Sequence, residues 1–325
     1  MAAAGNTPID IHAHFIPDEY RQVLADAGID SVDGYPLPSW DRDAAVDLME
    51  RRGLAAQIVS VSAPGIDAVP LAKRAGLSRT VNERAAELKA WRPDRFGAFA
   101  MLPLPDMDAT LREIEFIYDE LQLDGINLYT NVQGVYPGDP QLDPLFEELN
   151  RRKSTIFFHP VAPQVFGQLD MGVPAPTIEY PFETTRAVVK MAGSGLLDRF
   201  PDMKIILPHG GGTLPFLALR TSLHLARFGS GLHGKTADHV LGLYRRFYYD
   251  LTAVSHAWAI DALLALAPPE RLLYGSDHPF MPESVADTAF EFLRNKSAAD
   301  GRSLLQWAID NGDELFPRFA KAATG

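Results

Sequence analysis

The sequence predicts an α/β protein, a (β/α)8 TIM-like barrel in which residues 1–325 form a single domain. Three observations support this prediction: eight short apolar runs, an amphipathic segment after each run, and runs that are mostly apolar throughout instead of alternating with polar residues. Continuously apolar strands are typical of a parallel sheet whose two faces are both covered. Eight strands that each precede a helix fit a closed barrel better than an open sheet, and 325 residues is a common size for one.

Each strand is predicted from a short apolar run bounded by polar or turn-forming residues. In chain order the predicted strands are Ile9–Phe15, Gln57–Ser62, Phe96–Met101, Gly125–Tyr129, Thr155–His159, Lys204–Leu207, Phe247–Leu251 and Arg271–Tyr274. The helices are predicted where apolar residues recur at helical spacing. They are Arg42–Arg52, Thr80–Trp91, Ala109–Leu121, Pro144–Arg152, Thr184–Asp198, Leu214–Phe228, Ala257–Ala267 and Ser284–Arg294.

The composition narrows the functional classes. The chain has 30 Lys plus Arg against 42 Asp plus Glu, a net charge of -12, which argues against surfaces for nucleic acid or anionic membranes because both attract basic patches. Residues 1–8 are small and polar without an export signal, and no apolar run is long enough to span a membrane. We therefore expect a soluble cytoplasmic protein that binds neither nucleic acid nor membrane.

Two histidines in the first predicted strand are candidate metal ligands. The chain contains no cysteine, so any metal must be held by histidine and carboxylate side chains. Residues two apart in a strand point to the same side, so His12 and His14 can converge on one ion. Taken alone, this pattern is also typical of a partly buried or surface pair of histidines.

Three later strands lead to further candidate ligands. His159 ends the fifth predicted strand, His209 follows the sixth and Asp277 follows the eighth. The carboxyl ends of parallel strands gather at one mouth of a barrel. An isolated histidine at a strand end is more often structural, but this combination predicts a metal site at the mouth. The segments Asp30–Ser39 and Val161–Pro176 follow ligand-bearing strands, so we expect them at this mouth or else as ordinary surface loops.

These positions resemble the amidohydrolase superfamily, and the finer pattern resembles the branch that contains aminocarboxymuconate semialdehyde decarboxylase. The resemblance covers nearly the whole chain. The stretches that carry it are Asp10–His14, Phe158–Pro160, Glu183–Thr185, His209–Gly212, Asp277–Phe280 and Asn311–Phe316. Within the branch, Asp10–Pro17 and Pro38–Trp40 look most like 6-methylsalicylate decarboxylases. The resemblance implies the distorted barrel of this superfamily, with its metal site at the carboxyl-terminal ends of the strands.

The resemblance also implies roles for the candidate ligands. It implies four metal ligands: His12, His14, His159 and Asp277. His209 would be the catalytic histidine, and Asp277 would also take part in proton transfer; the alternative for His209 is a fourth nitrogen ligand or an orienting residue. Asn127–Tyr129 stands where binuclear members have a bridging carbamylated lysine, so we expect one divalent metal. Zn²⁺ suits imidazole-rich ligation, and Mn²⁺ is the alternative.

Four residues are predicted to contact the substrate: Arg220, Trp40, Phe182 and Phe280. Arg220 has the spacing from His209 that is shown by an arginine of the branch that reaches the neighbouring subunit's substrate. The resemblance therefore implies a homodimer or homotetramer, and a helix-surface ion pair is the alternative role for this arginine. The three aromatic side chains are expected to form an apolar wall for a ring, or else only to pack within the protein.

The resemblance implies nonoxidative decarboxylation of a hydroxybenzoate or salicylate-type aromatic carboxylic acid. The stretch Gly28–Trp40 lacks the arginine with which the muconate enzyme binds a second carboxylate, which favours a monoacid. One alternative is a metal-dependent hydrolase of a lactone, ester or amide, since the same ion can activate water. Another is a barrel that binds a metal or a small ligand without catalysis.

Overall fold

The computed structural model describes residues 7–169 and 172–320. Eight strands form one parallel sheet in the order β1-β4-β5-β6-β7-β8-β9-β10. Their bounds are β1 Ile9–His14, β4 Ala56–Ser60, β5 Phe96–Ala100, β6 Gly125–Tyr129, β7 Thr155–His159, β8 Lys204–Leu207, β9 Tyr248–Asp250 and β10 Leu272–Leu273. The eight strand predictions are confirmed, with β6, β7 and β8 at the predicted bounds.

Backbone hydrogen bonds between β1 and the segment after β10 close the sheet. The Asp277 amide donates to the His12 carbonyl over 2.7 Å, and the His14 amide donates to the His278 carbonyl over 2.7 Å. The predicted (β/α)8 TIM-like barrel is therefore confirmed. Closure at this point also brings Asp277 next to both histidines of β1, although almost the whole barrel separates them in sequence.

Helices surround the sheet. Their bounds are α1 Asp18–Asp26, α2 Arg42–Arg52, α3 Leu71–Trp91, α4 Met107–Asp119, α5 Asp143–Arg151, α6 Glu179–Gly193, α7 Leu196–Arg199, α8 Leu214–Phe228, α9 Ala237–Tyr244, α10 Ala257–Leu266, α11 Glu283–Asn295, α12 Leu304–Leu315 and α13 Pro317–Ala320. The helix α2 has its predicted bounds for a local reason. The Asp41 side chain accepts the amides of Asp43 and Ala44, and Gly53 ends the helix in the left-handed conformation.

Other helix predictions differ from the structure. The predicted helix Thr184–Asp198 is divided into α6 and α7 at Gly195, which has a φ of 75°. A Cβ at this position would come 2.7 Å from the Gly231 carbonyl oxygen, so the turn requires glycine. The helix predicted at Thr80–Trp91 begins earlier, at Leu71 directly after Pro70. The helices α1, α9, α12 and α13 were not predicted.

Side chains of β7 alternate between the outside and the inside of the barrel. Ile156 and Phe158 belong to the large apolar cluster between strands and helices, whereas Phe157 belongs to a smaller inner cluster. The inner cluster comprises Ile9, Ile11, Ala56, Ile58, Phe99, Phe157, Ile206, Tyr248 and Leu273, with Leu315, Phe316 and Phe319 from the end of the chain. Because residues two apart in a strand face the same side, His159 points into the barrel as Phe157 does.

The two segments expected at the mouth meet there. Residues 30–39 contain a hairpin of β2 (Ser31–Val32) and β3 (Tyr35–Pro36), which were not predicted. The Asp33 carboxylate accepts the Tyr180 hydroxyl over 2.8 Å and the Ala162 amide over 3.1 Å. On the other side, the Tyr35 hydroxyl donates to the Phe280 carbonyl over 3.0 Å. The hairpin is thus fastened to both α6 and the segment after β10.

None of the helices in the described ranges is long and apolar enough to cross a bilayer. The predicted absence of an export signal concerns residues 1–8, of which 1–6 lie outside the described residues. Residues 170–171 of the second mouth segment and residues 321–325 also lie outside them, so a single domain over 1–325 stays a prediction.

Candidate metal centre

The structure brings the four predicted metal ligands together. Ring nitrogens of His12, His14 and His159 lie within 4.8 Å of one another. The Asp277 carboxylate oxygen Oδ1 lies 3.1 Å from His14 Nε2 and 3.6 Å from His12 Nε2. The three imidazoles are buried, and the Asp277 side chain is 17% exposed. The three histidines form one possible metal-binding group, and His12, His209 and Asp277 form a second, so the two groups meet at His12.

Each of the three imidazoles is bonded through its Nδ1 atom. His14 Nδ1 lies 3.2 Å from the Ser60 carbonyl oxygen, and His159 Nδ1 lies 2.8 Å from the Pro160 carbonyl oxygen. A carbonyl oxygen can only accept, so Nδ1 carries the proton in both rings. The lone pair is therefore on Nε2, the atom that faces the common point. Bonds of this kind orient metal-binding histidines and fix their tautomer.

The donor set fits one divalent cation. Within the part of the chain that the structure describes, the buried Nε2 atoms of His12 and His14 have no hydrogen-bond partner. A buried polar atom without a partner costs free energy, and a metal ion would satisfy both nitrogens at once. Three imidazole nitrogens and one carboxylate are a ligand set that divalent transition metals bind.

Electrostatics favours the protonation states that metal ligands require. Burial lowers the pKa of His159 well below its usual value, and the neighbouring His14 lowers it further. Burial also lowers the pKa of His14. Burial raises the pKa of Asp277, but the neighbouring imidazoles of His14, His209 and His12 outweigh burial and hold that pKa well below its usual value. These shifts favour neutral His14 and His159 beside an ionised Asp277 carboxylate.

His209 lies beside the centre, on the turn that follows β8. Its Nε2 atom is 4.0 Å from Asp277 Oδ2, and its side chain is 13% exposed. Its backbone φ is 53°, and the three following glycines also have positive φ. A Cβ at Gly212 would lie 2.2 Å from the Pro181 carbonyl oxygen, so only glycine fits there. Because His209, His12 and Asp277 also form a possible metal-binding group, ligation by His209 remains its alternative role.

A cavity of about 370 Å³ opens onto the centre. His159, His209 and Asp277 form its polar floor, and most of its remaining lining is apolar. Its other lining residues are Val32, Tyr35, Ser62, Pro176, Tyr180, Pro181, Gly212, Ala253, Val254, Phe280, Met281 and Pro282. No lysine or arginine of the described residues lines it. The cavity suits a small, flat ligand whose negative charge faces the metal centre.

The predicted substrate contacts are placed differently. Phe280 lines the cavity, and its ring centroid lies 5.5 Å from that of His14. Trp40 packs instead against Phe15, with ring centroids 6.0 Å apart. Phe182 lines a neighbouring hollow, and Arg220 is exposed on α8. The structure therefore brings one of the four into the cavity of the same chain, and the roles of the other three stay predictions.

Several site residues were not singled out from the sequence. Asp250, at the end of β9, accepts a hydrogen bond from His12 Nδ1 over 2.7 Å. Burial lowers the pKa of His12, but the charge and the hydrogen bond of Asp250 outweigh it and raise that pKa. The Ser62 hydroxyl lies 3.3 Å from His159 Nε2. A polar residue at the end of an otherwise apolar barrel strand was the signal that could have identified both.

A model of the amidohydrolase family matches residues 9–305. The chain belongs to this family. Its curated relatives include a decarboxylase of Penicillium terrestre, 36% identical over 96% of this amidohydrolase and 95% of the relative. They also include the 6-methylsalicylic acid decarboxylase of Penicillium expansum, 35% identical over 95% and 96% of the two chains. These findings confirm the predicted family and the resemblance to 6-methylsalicylate decarboxylases.

Solved structures share the fold of this amidohydrolase. The crystal structure of 2,6-dihydroxybenzoate decarboxylase with 2,6-dihydroxybenzoate has a TM-score of 0.80 at 24% identity, covering 96% of this chain and 99% of the other. A dihydroxybenzoic acid decarboxylase from Polaromonas sp. JS666, solved with bound manganese, has a TM-score of 0.80 at 23% identity, covering 96% and 97%. Both likenesses extend over nearly the whole barrel.

Proposed function

We propose that this amidohydrolase is a metal-dependent nonoxidative decarboxylase, a carbon–carbon lyase, of a hydroxybenzoate or salicylate-type aromatic acid. One observation carries the proposal: His159, His209 and Asp277 line an apolar cavity of about 370 Å³, directly beside the buried ring nitrogens of His12 and His14. The decarboxylases among its curated relatives support the reaction type. Because no lysine or arginine of the described chain lines the cavity, a monoacid fits better than a dicarboxylate.

In this reaction a proton replaces the substrate carboxylate. The ring carbon that bears the carboxylate is protonated, its bond to the carboxylate carbon breaks, the electron pair of that bond returns to the ring, and CO₂ leaves. His209 is the proposed proton donor because its Nε2 atom lies beside the Asp277 carboxylate, 4.0 Å from Oδ2, and its side chain lines the cavity. A bound divalent cation would supply positive charge for the substrate's carboxylate and ortho-hydroxyl oxygens.

The proposed ligands of the cation are His12, His14, His159 and Asp277. We propose Zn²⁺ because three imidazoles dominate the set, with Mn²⁺ as the alternative. Manganese is the ion in the solved Polaromonas enzyme of the same fold. Trp40 and Phe182 are not in the cavity, so among the predicted aromatic contacts the ring-binding role is proposed for Phe280.

We also propose that the chain forms a homodimer or homotetramer through one face of α8. This surface, the α8 face, consists of Phe216, Leu219 and Leu223. These side chains are 85%, 62% and 54% exposed, and contiguous exposed apolar residues mark interaction sites. Arg220 lies on the same helix and would bind the carboxylate of the neighbouring subunit's substrate. The cytoplasmic location stays a prediction.

The first test is CO₂ release from salicylates and dihydroxybenzoates by protein loaded with Zn²⁺ or Mn²⁺. We expect the wild type to release CO₂ and His12→Ala to lose its bound metal. His209→Ala should keep its metal but turn over at least about 100-fold more slowly, because a proton donor contributes about that much to the rate. Undiminished turnover of the His209 variant would contradict its catalytic role. If the protein hydrolyses esters or lactones and releases CO₂ from none of the acids, the alternative function, a metal-dependent hydrolase, would be favoured.

A further inference from the structure

Asp250 connects the metal centre with the turn that carries His209. Its side chain is fully buried. One oxygen, Oδ2, accepts from His12 Nδ1 over 2.7 Å, while Oδ1 accepts the backbone amides of His209 over 2.8 Å and Thr252 over 3.0 Å. We propose that Asp250 is a positioning residue that fixes both the metal-binding tautomer of His12 and the place of His209. The inference rests on the proposed metal site and decarboxylase.

The contact with His12 determines which ring nitrogen is free. An ionised carboxylate only accepts hydrogen bonds, so His12 Nδ1 must carry the proton. The lone pair is then on Nε2, which points to His14 and Asp277 and has no hydrogen-bond partner among residues 7–169 and 172–320. A negative acceptor also makes the imidazole a better electron donor to a cation. Without Asp250, the ring loses this bias between its two tautomers.

The contact with the His209 amide fixes the backbone of the proposed proton donor. At a φ of 53°, His209 occupies the left-handed region, which is unfavourable for residues other than glycine. The glycines that follow it give the turn little stiffness of its own. The 2.8 Å bond from its amide to the buried Asp250 carboxylate therefore fixes His209 itself. Thr213 anchors the far end of the turn to Pro181 and Thr185.

The geometry predicts that asparagine is a worse replacement for Asp250 than alanine is. In Asp250→Asn, the amide oxygen is held by the two backbone amides, which can only donate. The amide nitrogen then faces His12 Nδ1 and donates to it, so the proton moves to Nε2 and the metal-binding lone pair is lost. In Asp250→Ala, water can accept from Nδ1, and the metal-binding tautomer remains accessible.

The experiment measures Zn²⁺ and Mn²⁺ affinity of the wild type, Asp250→Asn, Asp250→Ala and the control Asp10→Asn. We expect affinity to fall about 10- to 100-fold in Asp250→Asn, which is typical for loss of a partner behind a ligating histidine, and to fall less in Asp250→Ala. Asp10 is a matched control because it is equally buried but bonds to Gln57, Ser276 and the His12 backbone, not to a ring nitrogen. Asp10→Asn should keep its metal.

Two further readouts separate positioning from a general structural effect. Nitrogen-15 NMR of the metal-free Asp250→Asn variant should show His12 protonated on Nε2. At saturating metal, Asp250→Ala should retain the wild-type KM but have a lower kcat, because the His209 turn is released. Wild-type metal affinity in Asp250→Asn, or a larger loss in Asp250→Ala than in Asp250→Asn, would overturn the inference. A wild type that takes up neither metal would instead refute the proposed metal site itself.

Discussion

The same residue type behaves differently at neighbouring positions of this site. His12 and His14 bond through Nδ1 and direct Nε2 to the metal centre. His278 follows Asp277 directly, but its buried Nδ1 has no hydrogen-bond partner in the described chain. Burial, with a contribution from Arg52, lowers the pKa of His278 to about 4. His278 is therefore an uncharged packing residue and not a ligand in this structure.

The depressed pKa of His278 predicts acid sensitivity of the metal-free protein. The folded chain disfavours the protonated ring, so the unfolded chain binds the extra proton, and stability falls as the pH falls from 6.5 toward 4. At 1.36 kcal/mol per pKa unit, the loss is roughly 3 kcal/mol. Denaturant unfolding should show an acid-induced loss of stability that is smaller by this amount in His278→Gln than in the wild type, because His14 and His159 keep their own contributions. His256→Gln is the control: it changes an exposed histidine and should behave as the wild type does. Equal acid sensitivity of all three proteins would show that the buried His278 ring does not contribute to the loss of stability.

Among the elements, the hairpin of β2 and β3 contributes two residues to the wall of the cavity. Val32 and Tyr35 line the cavity, and the Asp33 carboxylate fastens the hairpin to Tyr180 and Ala162. Asp33 has a positive φ of 49°, a conformation that glycine also adopts freely. A change to glycine therefore removes the carboxylate without straining the turn.

Removal of this carboxylate should weaken substrate binding more than chemistry. In Asp33→Gly we expect KM to rise about tenfold, because hydrogen bonds to a charged group contribute about 1.5–3 kcal/mol. We expect little change in kcat, because none of the hydrogen bonds of Asp33 involves His209. Steady-state CO₂ release measures both constants. Asp30→Gly, at an exposed residue of the same segment, should leave both unchanged. A fall in kcat alone would show that the hairpin acts on the chemical step.

How far the sequence predicts each element depends on its surroundings. Strands such as β6 and β7 are covered on both faces, so their apolar runs stand out and their bounds are correct. The hairpin strands Ser31–Val32 and Tyr35–Pro36 are too short for any periodicity. The candidate ligands at strand ends could be predicted because a parallel barrel gathers them. Asp250 shares the same strand-end signal, but its contact with His12 could not be predicted, because nothing in the sequence indicates which carboxylate faces which imidazole.

At the scale of the whole molecule, the proposed assembly predicts complementation between two inactive variants. If Arg220 serves the neighbouring subunit, a mixed dimer of Arg220→Ala and His209→Ala contains one site with both residues intact. Random mixing of subunits then restores about a quarter of the wild-type activity in a dimer. CO₂ release after co-refolding measures this recovery. No recovery, despite mixed dimers detected by mass spectrometry, would place the function of Arg220 in its own subunit or on the surface.

The closure of the barrel has a consequence for biosynthesis. The metal centre takes His12 and His14 from the first strand and Asp277 from the segment after the last. During translation the ligand set cannot be complete until the last strand has left the ribosome, so a nascent chain has no means of holding the ion in its final cage. If the proposed site binds its ion, metal capture would coincide with completion of the fold, and the ion would stabilise the native state against local opening where the first and last strands meet.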